Sequence, residues 1–214
     1  MEIFRPGGLR LTDKASEFVK LRPGDRVLDV GCGLGTSLKF LRDEYKLDIY
    51  GLDINSQVVL KAKKLLDNDN ICCASAESLP YEDNLFHAVF MECVLSLTEN
   101  PEKVLLEALR VLRPEAYLII TTLDGAEELL KDGRICRNAL VNKLKELGFE
   151  IALVSDESAE LRQFIAEIIF KYDSLQKYID YARQEFGGAV LSCDVPLKGT
   201  GYSLVIAKKI RKPV

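Results

Sequence analysis

The stretch Val27-Leu28-Asp29-Val30-Gly31-Cys32-Gly33-Leu34-Gly35, answered by Gly51-Leu52-Asp53-Ile54, decides how this chain folds. An apolar run, three glycines at alternate positions, a helical stripe, a second apolar run and a closing carboxylate describe a nucleotide site at the mouth of a parallel sheet. Glycine at 31, 33 and 35 permits a tight strand-to-helix turn and brings backbone against a ligand that side chains would push away. The segment that follows carries Leu34, Leu38, Leu41 and Tyr45 on one stripe, so it reads as a helix aiming amides at that ligand. Asp53 stands eighteen residues past Gly35, where a carboxylate accepts both hydrogen bonds of a ribose diol.

The spacing discriminates among nucleotides. A dinucleotide fingerprint places its third small residue at 36, which is Thr36 here, so NAD and FAD are disfavoured and with them a nucleotide-dependent oxidoreductase. No Gly-Lys-Ser/Thr occurs, which disfavours ATP chemistry.

At Leu28 to Gly35 the chain resembles the first motif of the class I S-adenosylmethionine-dependent methyltransferases. The resemblance continues in order over roughly residues 24 to 124: Gly51-Leu52-Asp53 looks like the ribose-binding strand end, and Ala74 to Pro80 with Tyr81 to Phe86 looks like the adenine loop leading into strand four. Ala108 to Pro114, followed by Tyr117 to Thr121, resembles the helix and fifth strand of the type-11 branch, which includes quinone-biosynthesis enzymes and many that act on small molecules. The resemblance implies a Rossmann-like three-layer α/β sandwich with a mostly parallel seven-stranded sheet and one antiparallel strand. It also implies S-adenosylmethionine as cofactor and S-adenosylhomocysteine as product, held by Asp29, Gly31, Cys32, Gly33, Gly35, Asp53, Ile54 against adenine, Ser75, Ala76 at the adenine edge, Glu77 and Met91.

The chain departs from the family's pattern at three places. Ser75 stands where the family usually has an acid that accepts from the adenine amino group, and serine is the weaker acceptor. His87, the single histidine, opens strand four where Asp is common, and is read as structural. Glu115-Ala116 occupies a turn that commonly holds two glycines.

The 214 residues fit one methyltransferase domain: an N-terminal cap at 1–23, a cofactor-binding core at 24–155, a helical insertion at 156–188 and a last strand at 200–209. The alternation predicts a helix near 11 to 20, strands at 26–30, 70–74, 86–92 and 116–122, and a helix at 55–67. It also predicts a helix capped by Asn100 and ended by Arg113-Pro114, and one stopped by Gly148 ahead of a strand at Phe149. No apolar run of about eighteen residues and no signal pattern at the N-terminus are seen, which excludes membrane insertion and implies a cytoplasmic protein. With 29 Lys and Arg against 33 Asp and Glu, the net charge of -4 argues against a nucleic-acid substrate and for a small-molecule acceptor.

Six cysteines, at 32, 72, 73, 93, 136 and 193, show neither C-x-x-C pairing nor Cys-His zinc spacing, so no metal site is expected. Cys32 and Cys93 fall in segments expected to line the cofactor site, which keeps a thiol site like that of arsenite methyltransferases as an alternative. Glu92 and Glu77 are the candidate catalytic carboxylates. From Leu161 to Ala182 apolar residues recur at helical spacing, with Tyr172, Tyr178 and Tyr181 among them; this segment is either a lid on the acceptor pocket or packing for a sheet edge or a second copy in a homodimer. Arg5 and Thr12 lie within reach of the pocket if the turn-rich Phe4 to Leu9 segment is ordered. An inactive cofactor-binding protein of the same fold is the remaining alternative.

Overall fold

A computed structural model describes residues 5–68, 70–125, 130–131, 134–186 and 199–210. Helix α1 (Gly8–Val19) leads into β1 (Arg26–Val30), α2 (Thr36–Tyr45), β2 (Asp48–Asp53), α3 (Ser56–Leu66), β3 (Ile71–Cys73), β4 (Phe86–Glu92), α4 (Pro101–Val111) and β5 (Leu112–Asp124). Two-residue strands β6 (Leu130–Lys131) and β7 (Arg134–Ile135) precede α5 (Arg137–Leu147), β8 (Phe149–Asp156), α6 (Ser158–Tyr172), α7 (Leu175–Phe186) and β9 (Gly201–Lys209). The seven full strands run β3-β2-β1-β4-β5-β9-β8, and β9 alone is antiparallel, to β5 on one side and β8 on the other. Among the described residues no helix is long and apolar enough to cross a membrane.

The central strands read as unbroken apolar runs because both faces are covered. Leu28 and Val30 pack with Val104, Leu105, Leu140 and Leu144 from α4 and α5, whereas Val27 points the other way, onto Ala15, Leu38, Leu41, Val59 and Ala62 from α1, α2 and α3. This places the glycine turn after β1 and the carboxylate after β2 side by side at the carboxyl end of the sheet. His87 stands at the opposite end, its Nδ1 accepting from Arg26 N (3.0 Å), far from that mouth.

Several boundaries differ from the sequence reading for local reasons. Helix α1 begins at Gly8, three residues early, because Gly7 takes a left-handed φ of 73° and caps it. Helix α4 stops at Val111, and β5 starts at Leu112, well before 116. Leu112 pairs with Phe86, but the next pair is Tyr117 with Ala88, so residues 113–116 bulge out of register. Glu115 carries that bulge at φ 69°, a conformation that glycine adopts more cheaply. The pair β6 and β7, joined to β5 where Asp124 meets Ile135, is too short to leave a periodic signal.

The insertion is two helices broken at Asp173, whose φ of 66° ends α6. Leu161 anchors it to Leu11, Leu123 and Tyr202, and Glu160 and Glu157 pair with Arg10 and Lys14 of α1. Beyond that anchor the hairpin has its own small core of Phe164, Ile168, Tyr178, Ile179 and Ala182, with Tyr172 against them. Residues 187 and 188 of the expected insertion lie outside the described residues. Because this core is separate from the two that clamp the sheet, Ile179→Ala is expected to speed amide exchange across 158–184 while leaving β1, β4 and β5 protected. Hydrogen exchange with mass-spectrometric readout measures it.

Candidate functional site

The glycine turn is held by its own backbone. Gly31 N and Cys32 N both donate to the Leu52 carbonyl, at 2.7 and 2.9 Å, and Gly35 N donates to Cys32 O. Gly33 N donates to Asp53 Oδ2 (3.1 Å), while Asn55 N donates to Oδ1 (2.9 Å), so two amides aim the carboxylate and leave it further acceptor capacity for a diol. Amides 31, 32, 33 and 35 are therefore all taken internally.

The three turn glycines have different reasons. A Cβ on Gly31 would lie 2.3 Å from Val94 Cγ2, and one on Gly35 2.8 Å from Leu66 Cδ1, whereas one on Gly33 would enter open space. Gly31 and Gly35 thus close the packing beneath the turn, and Gly33 faces the mouth. Beside it the Ile54 side chain stands 76% exposed, an apolar surface of the kind a flat ring covers. Ala74 N ties the next loop to Asp53 O (3.1 Å), bringing Ser75 and Ala76 to the same mouth.

Behind the turn lies a buried charge cluster. Arg5 reaches in from ahead of α1, where Nη2 donates to Thr12 Oγ1 (2.6 Å) and Gly8 O (3.1 Å) and sits 2.8 Å from Glu92 Oε2; Nη1 donates to Ser37 Oγ (3.2 Å). Thr12 donates to the other Glu92 oxygen at 2.9 Å. Asp29, also buried, is held well above its ordinary range by desolvation first and then by the Glu92 charge, against the opposing pull of Arg5. Arg5 and Glu92 pair their charges here, and the buried Asp29 carboxyl keeps its proton to a higher pH than a free one. Next to them Cys93 takes a left-handed φ of 61°; its thiol lies 2.9 Å from the Tyr202 hydroxyl, which donates to Thr121 Oγ1 (2.9 Å). Burial pushes both Cys93 and Tyr202 up, so they stay protonated and form a neutral polar wall.

Asp29, Gly31, Cys32, Gly33, Gly35, Asp53, Ile54, Ser75 and Ala76 thus gather at one mouth, but the expected roles of four side chains change. Met91 is wholly enclosed among core residues and presents nothing to a ligand. Glu77 turns to Asn100 N (3.0 Å), and so fixes the start of α4 instead of serving as an acid or base. Glu92 is engaged by Arg5 and Thr12, which makes it an anchor and not a free base. The Ser75 hydroxyl already accepts from Glu77 N (3.1 Å), a turn-forming bond that competes with adenine recognition. The thiols do not converge. Cys32 is buried, Cys72 meets the Tyr81 hydroxyl at 3.5 Å, and Cys73 is exposed beside the Ile54 carbonyl. Cys193 lies outside the described residues, among which no group of three His, Cys, Asp or Glu is placed to hold a metal. Ser37 and Tyr202 left no signal in the sequence, since only tertiary packing brings them here.

This topology, with its glycine turn and strand-end carboxylate, is shared with solved structures of a cyclase and of methyltransferases. Residues 28–120 match the type-11 family model, described as a methyltransferase domain. Over 98 residues it is 36% identical to a demethylmenaquinone methyltransferase of Renibacterium salmoninarum, covering 46% of this chain and 41% of that one. Its matches span from 31% to 63% of the length of the curated relatives. The structure of the cyclase SpnF superposes with a TM-score of 0.75 at 28% identity, covering 95% of this chain and 82% of that one. A Haemonchus contortus phosphoethanolamine N-methyltransferase 2 in complex with S-adenosyl-L-methionine shares the fold, with a TM-score of 0.74 at 18% identity over 98% of this chain and 54% of that one.

Two outcomes follow from this geometry. Gly31→Ala combines a left-handed φ with a clash against Val94 and is expected to cost more than about 2 kcal/mol, whereas Gly33→Ala costs only the backbone term of about 1 kcal/mol; urea denaturation separates them. Asp29, titrating above its ordinary 3.8, helps the folded state below that pH and loses this help as pH rises through its folded value. Asp29→Asn is therefore expected to raise Tm near pH 7 by about 2–4 °C, for about 1 kcal/mol, and to lose that advantage near about pH 4.

Proposed function

We propose that this chain transfers the methyl group of S-adenosylmethionine to a small-molecule acceptor and releases S-adenosylhomocysteine. The observation that carries the reading is the Asp53 carboxylate, aimed by Gly33 N and Asn55 N beside a turn in which amides 31, 32, 33 and 35 are already engaged. Such a mouth suits a ribose diol. The residues fit the group: Asp53 holds the ribose, Gly33 allows close approach, Ile54 packs on adenine and Ala76 meets its edge.

When bound, the cofactor supplies an electrophilic methyl whose bond to sulfur breaks as the bond to the acceptor forms. The chain's part is alignment in a water-poor pocket. Cys93, part-exposed and protonated, faces an acceptor on the side that α1 and the start of α6 border, with the buried Tyr202 hydroxyl fixing its thiol from behind. With Glu92 and Glu77 both engaged, the acceptor is one that needs no strong base, such as a thiol, an amine above its pKa or an activated carbon. The net charge of -4 supports a small molecule over a nucleic acid. The α6 and α7 hairpin, rooted at the same end of the sheet, shapes acceptor access.

The likeness to SpnF, a cyclase, favours a second reading in which the same pocket promotes ring closure without methyl transfer. Formation of S-adenosylhomocysteine on incubation with a metabolite extract distinguishes the two. Asp53→Ala is expected to weaken S-adenosylhomocysteine about ten- to a hundredfold, the loss of hydrogen bonds to a charged acceptor, with the fold retained. Calorimetry reads it, and binding of NAD in place of the adenosyl ligand would overturn the assignment.

A further inference from the structure

Helix α6 carries two apolar stripes, and the fold consumes only one of them. Phe164 and Ile168 pack into the hairpin core with Tyr178, Ile179 and Ala182 of α7. Leu161, Ile165 and Ile169 form the second stripe, each about one turn beyond the last. Exposure rises along it: Leu161 is 4% exposed, Ile165 is part-buried and Ile169 is 48% exposed. An apolar track thus runs from solvent inward over about 12 Å, the rise of eight helical residues.

The inner end of the track lies beside the site. Leu161 closes a cluster with Leu11, Leu123 and Tyr202, and the two members not fully buried are Cys93 and Ile165. What remains accessible of this cluster is therefore the thiol and the middle of the track. The charges around it are matched. Arg10, Glu160, Asp124 and Glu92 are the sequence neighbours of Leu11, Leu161, Leu123 and Cys93, and each is in an ion pair: Arg10 with Glu160, Asp124 with Arg137, and Glu92 with Arg5. Burial holds Cys93 and Tyr202 protonated. A charged group moved into these surroundings sheds its water and gains no counter-charge, whereas an apolar body gains burial along the whole track.

We infer that the acceptor is uncharged and carries an apolar body about as long as the track, with its reactive end at Cys93 and its body along Ile165 and Ile169. Ile165, the gate between the closed cluster and solvent, sets specificity. This rests on the methyltransferase reading and deepens it by naming the class of acceptor. Phe170, 92% exposed on the opposite side of α6, takes no part.

Calorimetry on the full chain, with and without S-adenosylhomocysteine, tests it with three probes: 1-octanol, 1-butanol and octanoate. Octanol is expected to bind at least about tenfold tighter than butanol, which lacks four methylenes, and than octanoate, which carries a charge. Ile165→Glu is expected to weaken octanol about tenfold or more, and Ile169→Glu, at a position exposed enough to leave folding intact, about threefold. Phe170→Glu leaves octanol binding unchanged, which separates the track from adventitious binding at an exposed ring. Octanol and octanoate bound alike, or octanol bound equally well by the unaltered chain and both track variants, overturns the track and leaves the methyltransferase reading standing. A dimer in light scattering that Ile169→Glu dissociates, with no octanol bound, gives the stripe to a second copy and overturns the track as well. Failure of the unaltered chain to bind S-adenosylhomocysteine overturns the methyltransferase reading and the acceptor assignment with it.

Discussion

The carbonyl of Leu52 accepts hydrogen bonds from two successive amides, Gly31 N and Cys32 N, and so pins the turn after β1 onto the end of β2. From that bond follow the left-handed conformations at Gly31, Gly33 and Gly35, the entry of α2, and the reach of Gly33 N to Asp53. Apolar packing on both faces of the sheet supplies most of the stability, yet it is indifferent to where the loops point. The backbone bond between neighbouring strand ends converts a stable sandwich into one with a defined mouth. The same bond engages the Gly31 and Cys32 amides, so neither is free to meet a ligand.

Much of this was legible in the order of residues because it is local. The turn glycines, the carboxylate at Asp53, the cap at Asn100 and the stop at Gly148 are short-range devices whose chemistry is visible within a few positions. Met91 was placed at the mouth by its position near the end of β4 alone, since a strand buried on both sides has no polar alternation to say which side chains meet a ligand. Glu77 and Glu92 were legible as carboxylates near the mouth, but their partners, Asn100 N, Arg5 and Thr12, come from distant parts of the chain. The bulge at 113–116 was invisible for another reason. Where glycine announces a left-handed residue, Glu115 adopts one without warning.

The wall around Cys93 has a different character from the glycine turn. Asp53 and the turn are fixed by backbone bonds, whereas the wall of Cys93, Tyr202 and Thr121 is a chain of side-chain hydrogen bonds between neutral groups. Substitution there changes shape and polarity without disturbing the turn. A scaffold divided in this way can carry unlike reactions on one cofactor platform, consistent with a cyclase superposing on this chain as well as methyltransferases do.

The helical hairpin leaves the sheet after Asp156 and the chain returns at Gly201, and Asp156 sits opposite Ser203 in the ladder between β8 and β9. Departure and return are thus neighbours, and the excursion between them closes a gap that a tight β-turn spans. Loop-closure entropy grows only slowly with length, so the sheet is nearly insensitive to how much chain is placed there. The hairpin is in effect an exchangeable cassette: a segment with its own hydrophobic centre, plugged into a fixed pair of strand ends, whose replacement would leave the sheet and the glycine turn in their present form.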